Sequence, residues 1–336
     1  MFVARLIVTC VLAQSPLPEA PVPGFGGISP MPPAPMMPAP AFEAPVGFPA
    51  APSVAEGANL GRMLDTGTRG LFESDRAFPG FVGPLTDIIQ AKDPRSLTEA
   101  RLHVFSNWGR AGTPVLGTGT YQVYALQLRL ALTERLQLFA DKDGIVRFSP
   151  QGGRSATGLA NIAAGAKYVF IRDVENQFLF SGVIQYEAPT GYANIYQNQG
   201  SGLLAVYGIA AKEFGENWHI VTQFGQNIAM QNQQNGYFYT HAHIDRRFGR
   251  LTPLFEVNWY YYNQSAKFLP PIGLEGGGLV NLGTSGMTGR SIVTGTIGTK
   301  FDLTENLELG LGYQFAMQRA RSLYGDSLIA QVILRY

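Results

Sequence analysis

From Glu99 to the C-terminus, apolar and polar positions alternate with a period of two in segments of roughly 10 to 14 residues. Twelve segments can be drawn: 100–109, 118–132, 135–147, 157–171, 176–188, 202–214, 217–230, 236–249, 251–263, 290–303, 306–318 and 324–336. A tilted strand crosses the hydrocarbon of a bilayer in about 9–11 residues, so these lengths suffice. The second segment sets Tyr124, Leu126, Leu128, Leu130 and Leu132 against Ala125, Gln127, Arg129 and Ala131. The eleventh sets Leu307, Leu309, Leu311, Tyr313, Phe315 and Met317 against Glu308, Gly310, Gly312, Gln314 and Ala316.

The connections carry as much information as the strands. Leu132-Thr133-Glu134-Arg135, Arg172 to Glu175, Phe214-Gly215-Glu216-Asn217, Phe248-Gly249-Arg250 and Leu303-Thr304-Glu305-Asn306 are tight, polar turns, and they follow even-numbered segments. The connections after segments 1, 3, 5 and 9 are longer, with Gln264 to Gly289 the longest, whereas those after 7 and 11 are read as short. Short turns on one side and longer loops on the other belong to outer-membrane barrels, and an even strand number puts both termini on the short-turn, periplasmic side.

The pattern therefore predicts an all-β chain: a transmembrane antiparallel up-and-down β-barrel of about 12 strands over 99–336. Its apolar face meets outer-membrane lipid and its polar face the lumen. In the last segment Leu328, Ala330, Val332, Leu334 and Tyr336 share one face, and the chain ends on that aromatic. Such an ending resembles the signal read by the bacterial barrel assembly machinery, an expected partner. The expected localisation is the cell outer membrane.

Composition agrees. Charged residues are 15% against roughly 25% in soluble proteins, and glycine is frequent at 40 of 336 residues. A mean hydropathy of +0.02 suits strands whose two faces cancel. The net charge of +1 gives no reason to expect a nucleic-acid partner.

Upstream, no run reaches the ~18–20 apolar residues of a membrane helix. Residues 1–13 read as a signal peptide, with Arg5, an apolar core Leu6 to Leu12 and a cleavage site at Val11-Leu12-Ala13. A lipobox ending at Cys10 fits less well, because Thr9 precedes it. Cys10 is the single cysteine, so cleavage leaves none. Residues 14–53, with Pro30-Met31-Pro32-Pro33-Ala34-Pro35, are expected to form a disordered tether, since proline lacks a backbone donor. Residues 54–98 are either a periplasmic lead-in or a short plug. Thr86 to Ala91 could make a short helix capped by Thr86, with Ile88 and Ile89 as its apolar side.

Gly158-Leu159-Ala160-Asn161-Ile162, Gly165-Ala166-Lys167-Tyr168-Val169-Phe170 and Tyr186-Glu187-Ala188-Pro189-Thr190-Gly191 follow one another. Together they resemble the outer-membrane transporters named for the meta-pathway of phenol degradation. That pattern has a Gly-x-x-Asp strand start, a Gly-x-Lys-Tyr-x-Phe strand and a Pro-Thr-Gly loop start. Asn161 stands where the family usually has Asp. The resemblance spans about 158–336 and implies a barrel that takes up small, often hydrophobic solutes.

By alternation, Arg129, Lys167, Gln185, Glu187, Lys212, Gln223, His241, His243, Glu256 and Lys300 are candidate lumen-lining residues. They either bias a solute path, as charged rings do in pores, or pair with one another to fill the barrel. The inward basic set also includes Arg101, Arg247 and Arg335, and the acidic set Asp245, Asp302 and Glu308. The small basic excess implies a weak anion preference. On an open lumen wall, an added charge such as Gln127→Arg should be mild.

His241-x-His243 points both rings one way, and Asp245 or Glu256 could complete a metal site. With no clear third ligand, no metal and no cofactor is expected. Asp141-Lys142-Asp143-Gly144 resembles a calcium-loop start but lacks the closing Glu, so a loop or bulge is the reading. A twelve-stranded outer-membrane phospholipase needs Ser two residues after its His. No histidine here has one, and Ser106 stands three from His103, so no catalytic residue is assigned. Trp259, Tyr260, Tyr261 and Tyr262 suit an interfacial girdle. The expected function is a channel or transporter for small solutes, the alternative a structural barrel anchoring the Pro-rich arm.

Overall fold

The computed structural model describes residues 72–318 and 321–336. The expected signal (1–13), the Pro-rich tether (14–53) and the lead-in up to residue 71 lie outside the described residues. Fourteen strands follow: β1 (Glu99–Trp108), β2 (Thr120–Ala131), β3 (Leu136–Asp141), β4 (Gly144–Ser149), β5 (Ala156–Leu159), β6 (Ile162–Asp173), β7 (Phe178–Ala188), β8 (Leu203–Phe214), β9 (Trp218–Ala229), β10 (Gly236–Arg246), β11 (Leu251–Gln264), β12 (Arg290–Asp302), β13 (Leu307–Ala316) and β14 (Asp326–Arg335). β3 and β4 both pair with β2, and β6 and β5 pair with them in turn. Each couple is one barrel strand, interrupted at Lys142–Asp143 and at Ala160–Asn161. The molecule is thus a closed antiparallel barrel of twelve strands, as the alternation predicts.

Closure is made by β1, which pairs with β2 on one side and with β14 on the other, from Glu99↔Arg335 to Trp108↔Asp326. The Asp141-to-Gly144 run is a bulge, with Lys142 at φ 63°. Three- and four-residue turns at 132–135, 174–177, 215–217, 247–250 and 303–306 lie at one end. Gly215 and Gly249 supply the left-handed backbone in two of them. The other end carries 109–119, 150–155, 189–202, 230–235, 265–289 and 317–325. The connections expected to be short after the seventh and eleventh segments, 230–235 and 317–325, are longer than every turn opposite. The two-ended asymmetry is therefore complete.

The faces fall as the alternation requires. Leu128, Ile184 and Ile297 are 52%, 55% and 62% exposed, while neighbouring Gln127, Gln185 and Thr296 are buried. Outward aromatics gather at both rims, with Trp108, Tyr124, Tyr186, Trp259 and Tyr261 toward the loops. Phe170, Phe214, Trp218, Phe248 and Tyr336 lie toward the turns. Of the expected girdle run, Tyr260 and Tyr262 instead point inward. Residue parity sends them into a buried cluster with Tyr237, Tyr239, Met287 and Ile292.

Because a closed ladder leaves no edge to open, the folded chain should run differently on SDS gels before and after boiling. Leu128→Arg should cost roughly 2–4 kcal/mol near the midplane and lower the yield of the unboiled form. Unchanged yield would show that Leu128 does not face lipid. The expectation that Gln127→Arg is mild does not survive. Gln127 is fully buried, donates to the Ile88 carbonyl at 2.8 Å and lies beside Arg129, so a second cation there has neither room nor partner.

Candidate functional site: a polar lumen around a buried segment

Residues 72–98 run without regular secondary structure: 72–80 cross the turn end, with Arg76 and Pro79 exposed, and 81–97 lie buried inside the barrel. A turn forms at Asp87–Ala91, where the Ala91 N–H donates to the Asp87 carbonyl at 2.7 Å. The short helix expected there is absent. Thr86, its expected cap, donates its hydroxyl to Glu256 of the wall instead, and Asp87 sits at φ 44°. The segment leaves the barrel at the turn end, where Ser74 N–H donates to the Tyr336 carbonyl at 3.1 Å.

A chain without sheet partners can be buried only if something else satisfies its backbone. Here the inward side chains do so. Leu85 and Thr86 N–H groups donate to the Glu256 carboxylate at 2.7 and 2.9 Å. Gln223 exchanges two 3.1 Å bonds with the Lys92 backbone. Lys167 donates to the carbonyls of Asp93 and Arg95. Ser181 donates to that of Pro94 at 2.7 Å. Three wall glycines make room: a Cβ on Gly298, Gly310 or Gly312 would come within 2.4–2.8 Å of the Leu85 side chain.

Ionic side chains form connected groups. Near the turn end Glu99 meets Arg101, Arg129 and Arg335. Arg335 continues to Glu308 at 2.8 Å, which also meets Lys300 at 2.8 Å. Asp93 of the buried segment, bonded to Arg95 at 2.7 Å, lies 4.0 Å from Arg101. Lys92 pairs with Asp141, and its ammonium also stands 4.5 Å over the Phe139 ring. Beside β10, His219, Asp245, His243 and Glu256 form a row with contacts of 2.7–2.8 Å.

Toward the loops, Lys142 and the Asn161 amide both donate to Glu187. The Asn161 carbonyl accepts from Gly191 and Asn198 at 3.0 and 2.9 Å. Two of the three motif pieces read in sequence, 158–162 and 186–191, therefore meet in space. An aspartate at 161 would keep the loop contacts but face Glu187 without a donor, which gives the departure a physical reason.

Loop 265–289 folds back into the mouth. Its Glu275 carboxylate accepts from Leu282 N–H, Thr284 N–H and Asn235, and burial pushes that carboxyl up to about 7. Val280 and Leu282 of this loop share a buried cluster with Leu85, Ile88 and Ile89. The space left between Asp87, Tyr260, Gly277 and Tyr324 is about 30 Å³, room for about two waters. At the turn end a larger cleft of about 350 Å³ is lined by Arg76, Arg250, Arg247, Asp302 and Arg335.

Among the sequence candidates, Arg129, Lys167, Gln185, Glu187, Gln223, His241, His243, Glu256 and Lys300 point inward and are buried. Lys212 does not. In β8 the inward set is Leu203, Ala205, Tyr207, Ile209 and Ala211. Lys212 has the opposite parity and reaches the Asn176 carbonyl in the short turn. Removing it, and adding the inward Glu99, Asp141 and Lys142, erases the basic excess and with it the reason for an anion preference. Lys142 was hidden by the bulge, which breaks the period of two, whereas Asp141 ends β3 in phase with the inward Gln137 and Phe139 and was legible from parity. Glu99 stood at the first position of β1, two residues from Arg101, where parity alone would have found it.

The class is plain from these features: an outer-membrane-type β-barrel with a polar lumen. Comparison with protein-family models and with curated protein sequences finds no match. Among solved structures, the fold is similar to an outer-membrane channel from Pseudomonas putida F1, at TM-score 0.53 and 13% identity over 76% of this chain and 100% of that one. The NanC porin follows at TM-score 0.48 and 6% identity, covering 70% of this chain and 100% of its own. The KdgM porin follows at 0.45 and 8%, covering 71% and 99%.

Glu256→Ala should destabilise the folded barrel by roughly 3–5 kcal/mol, because it strands buried donors on Leu85, Thr86 and His243. Glu256→Gln, which keeps an acceptor for Leu85, should cost less. Denaturant titration of refolded protein checks the order, and equal stabilities would show that Glu256 does not hold the segment.

Proposed function

We propose that the protein is an outer-membrane channel or transporter for small solutes, with residues 74–97 acting as a plug. One observation carries this reading: the wall around the segment is polar and charged, and it holds the segment largely through side-chain bonds that can be exchanged for water. A barrel needed only as an anchor gains nothing from so many buried charges, each costly to desolvate. Opening requires the plug, the 265–289 loop or both to move.

The resemblance of the 158–191 motifs to transporters named for the meta-pathway of phenol degradation favours small, often hydrophobic solutes. The outward apolar residues of β14, Leu328, Val332 and Leu334, support recognition by the barrel assembly machinery. Catalysis is disfavoured, since no histidine hydrogen bond recorded among the described residues goes to a serine or cysteine. The filled lumen also gives the anchor reading an observation of its own.

Single-channel recording of refolded protein tests the choice. The wild type should be mostly closed. Lys167→Glu, which sets a carboxylate against the Asp93 and Arg95 carbonyls, should raise the open fraction, as should deletion of 74–97. With acidic and basic wall residues balanced, the wild-type openings should show a reversal potential near zero in a salt gradient. A folded, heat-modifiable deletion variant that never conducts would exclude the channel and leave the anchor.

A further inference from the structure

We propose that His241, His243 and Glu256 form a binding site for one divalent transition-metal ion of the zinc class, built into the barrel wall. His241 and His243 are two apart on the inner face of β10, and Glu256 of β11 stands directly opposite His243 in the ladder. All three are buried, at 0–1% exposure, and one ligand atom from each lies within 4.8 Å of the others. Tetrahedral ligands of zinc sit about 3.3–3.6 Å apart, given bonds of 2.0–2.2 Å. Small side-chain rotations close the difference. The third ligand missing from the sequence pattern is supplied by cross-strand register.

The surroundings are those of a prepared site. The Asn258 carbonyl oxygen lies 2.8 Å from His241 Nδ1, and the Asn258 amide nitrogen donates to Thr86 and Thr294. That oxygen can only accept, so the His241 proton sits on Nδ1. Nε2 is left with a bare lone pair, fully buried and without a hydrogen-bond partner. An orphaned buried acceptor is uncommon in a native interior, and a metal ion resolves it.

His243 lies between Glu256 at Nδ1 and Asp245 at Nε2, both at 2.8 Å. A metal ion taking the place of the proton between His243 Nδ1 and Glu256 Oε1 turns that contact into two ligand bonds. Asp245 then holds the remaining His243 N–H, while its other oxygen faces His219 Nδ1 at 2.7 Å. A carboxylate behind a liganding imidazole is the usual means of orienting it. Imidazole and carboxylate together suit zinc, copper or nickel better than calcium or magnesium. The Leu85 and Thr86 donors to Glu256 can stay in place, so the bound ion and the buried segment would share one carboxylate.

The test uses the untagged mature chain, refolded in detergent after chelator treatment, with Zn²⁺ added or withheld. After desalting, elemental analysis should find close to one zinc per folded chain, and Co²⁺ should give the visible absorption of a low-coordinate ion. His241→Ala leaves the Asp245–His243–Glu256 row intact and should still fold, as heat-modifiable mobility would show, but should lose the bound ion. Asp245→Asn should weaken metal affinity by roughly 10- to 100-fold without removing a ligand. Folded wild type that retains no more metal than His241→Ala, or full affinity in both variants, overturns the site.

Discussion

The hydrocarbon of a bilayer offers no hydrogen-bond partner, so every backbone N–H and C=O at that depth must be satisfied within the protein. For strands the solution is closure, and closure here is the meeting of β1 with β14 over ten residue pairs. From that one junction the rest follows. A closed sheet has an outside that must be apolar and an inside shut off from lipid. The period of two then delivers leucine to one and glutamine, lysine and glutamate to the other.

An enclosed polar wall creates the next problem. Charges removed from bulk water are costly unless paired, and twelve strands leave limited space for water to do the pairing. The structure answers with groups spanning neighbouring strands, such as Glu99 with Arg101, Arg129 and Arg335. It also answers with a segment whose Lys92 and Asp93 meet Asp141 and Arg101 of the wall, while its Arg95 pairs with Asp93. The exchange works in both directions. Wall side chains stand in for the sheet partners that the 72–98 backbone lacks, and the segment supplies carbonyls to lysines such as Lys167 that would otherwise be stranded.

The segment's apolar residues meet the infolded loops. Leu85, Ile88 and Ile89 join Val280, Leu282 and Tyr324 in one buried cluster, so the lumen is filled from both directions. Glu275 stitches the long loop together from within by gathering backbone donors on one carboxylate. Opening this lumen would therefore require rearrangement, both of the polar contacts to the wall and of this apolar cluster.

The linear pattern of residues determined the barrel, its strand number, which face meets lipid and where nine of the ten proposed lumen residues point. These depend on parity and turn length, which are local and repeat many times. Parity failed where the period itself slips, as the bulge at Lys142–Asp143 concealed Lys142; in β8 the alternation is unbroken, and only the phase taken for it misplaced Lys212. Tertiary structure alone determined that the segment before β1 turns back into the lumen, because that choice depends on wall groups far away in the chain, such as Asn258, which stands 172 positions from the Thr86 it contacts. It also determined that Glu256 faces His243. Cross-strand register is a relation between two segments, and neither segment's composition contains it.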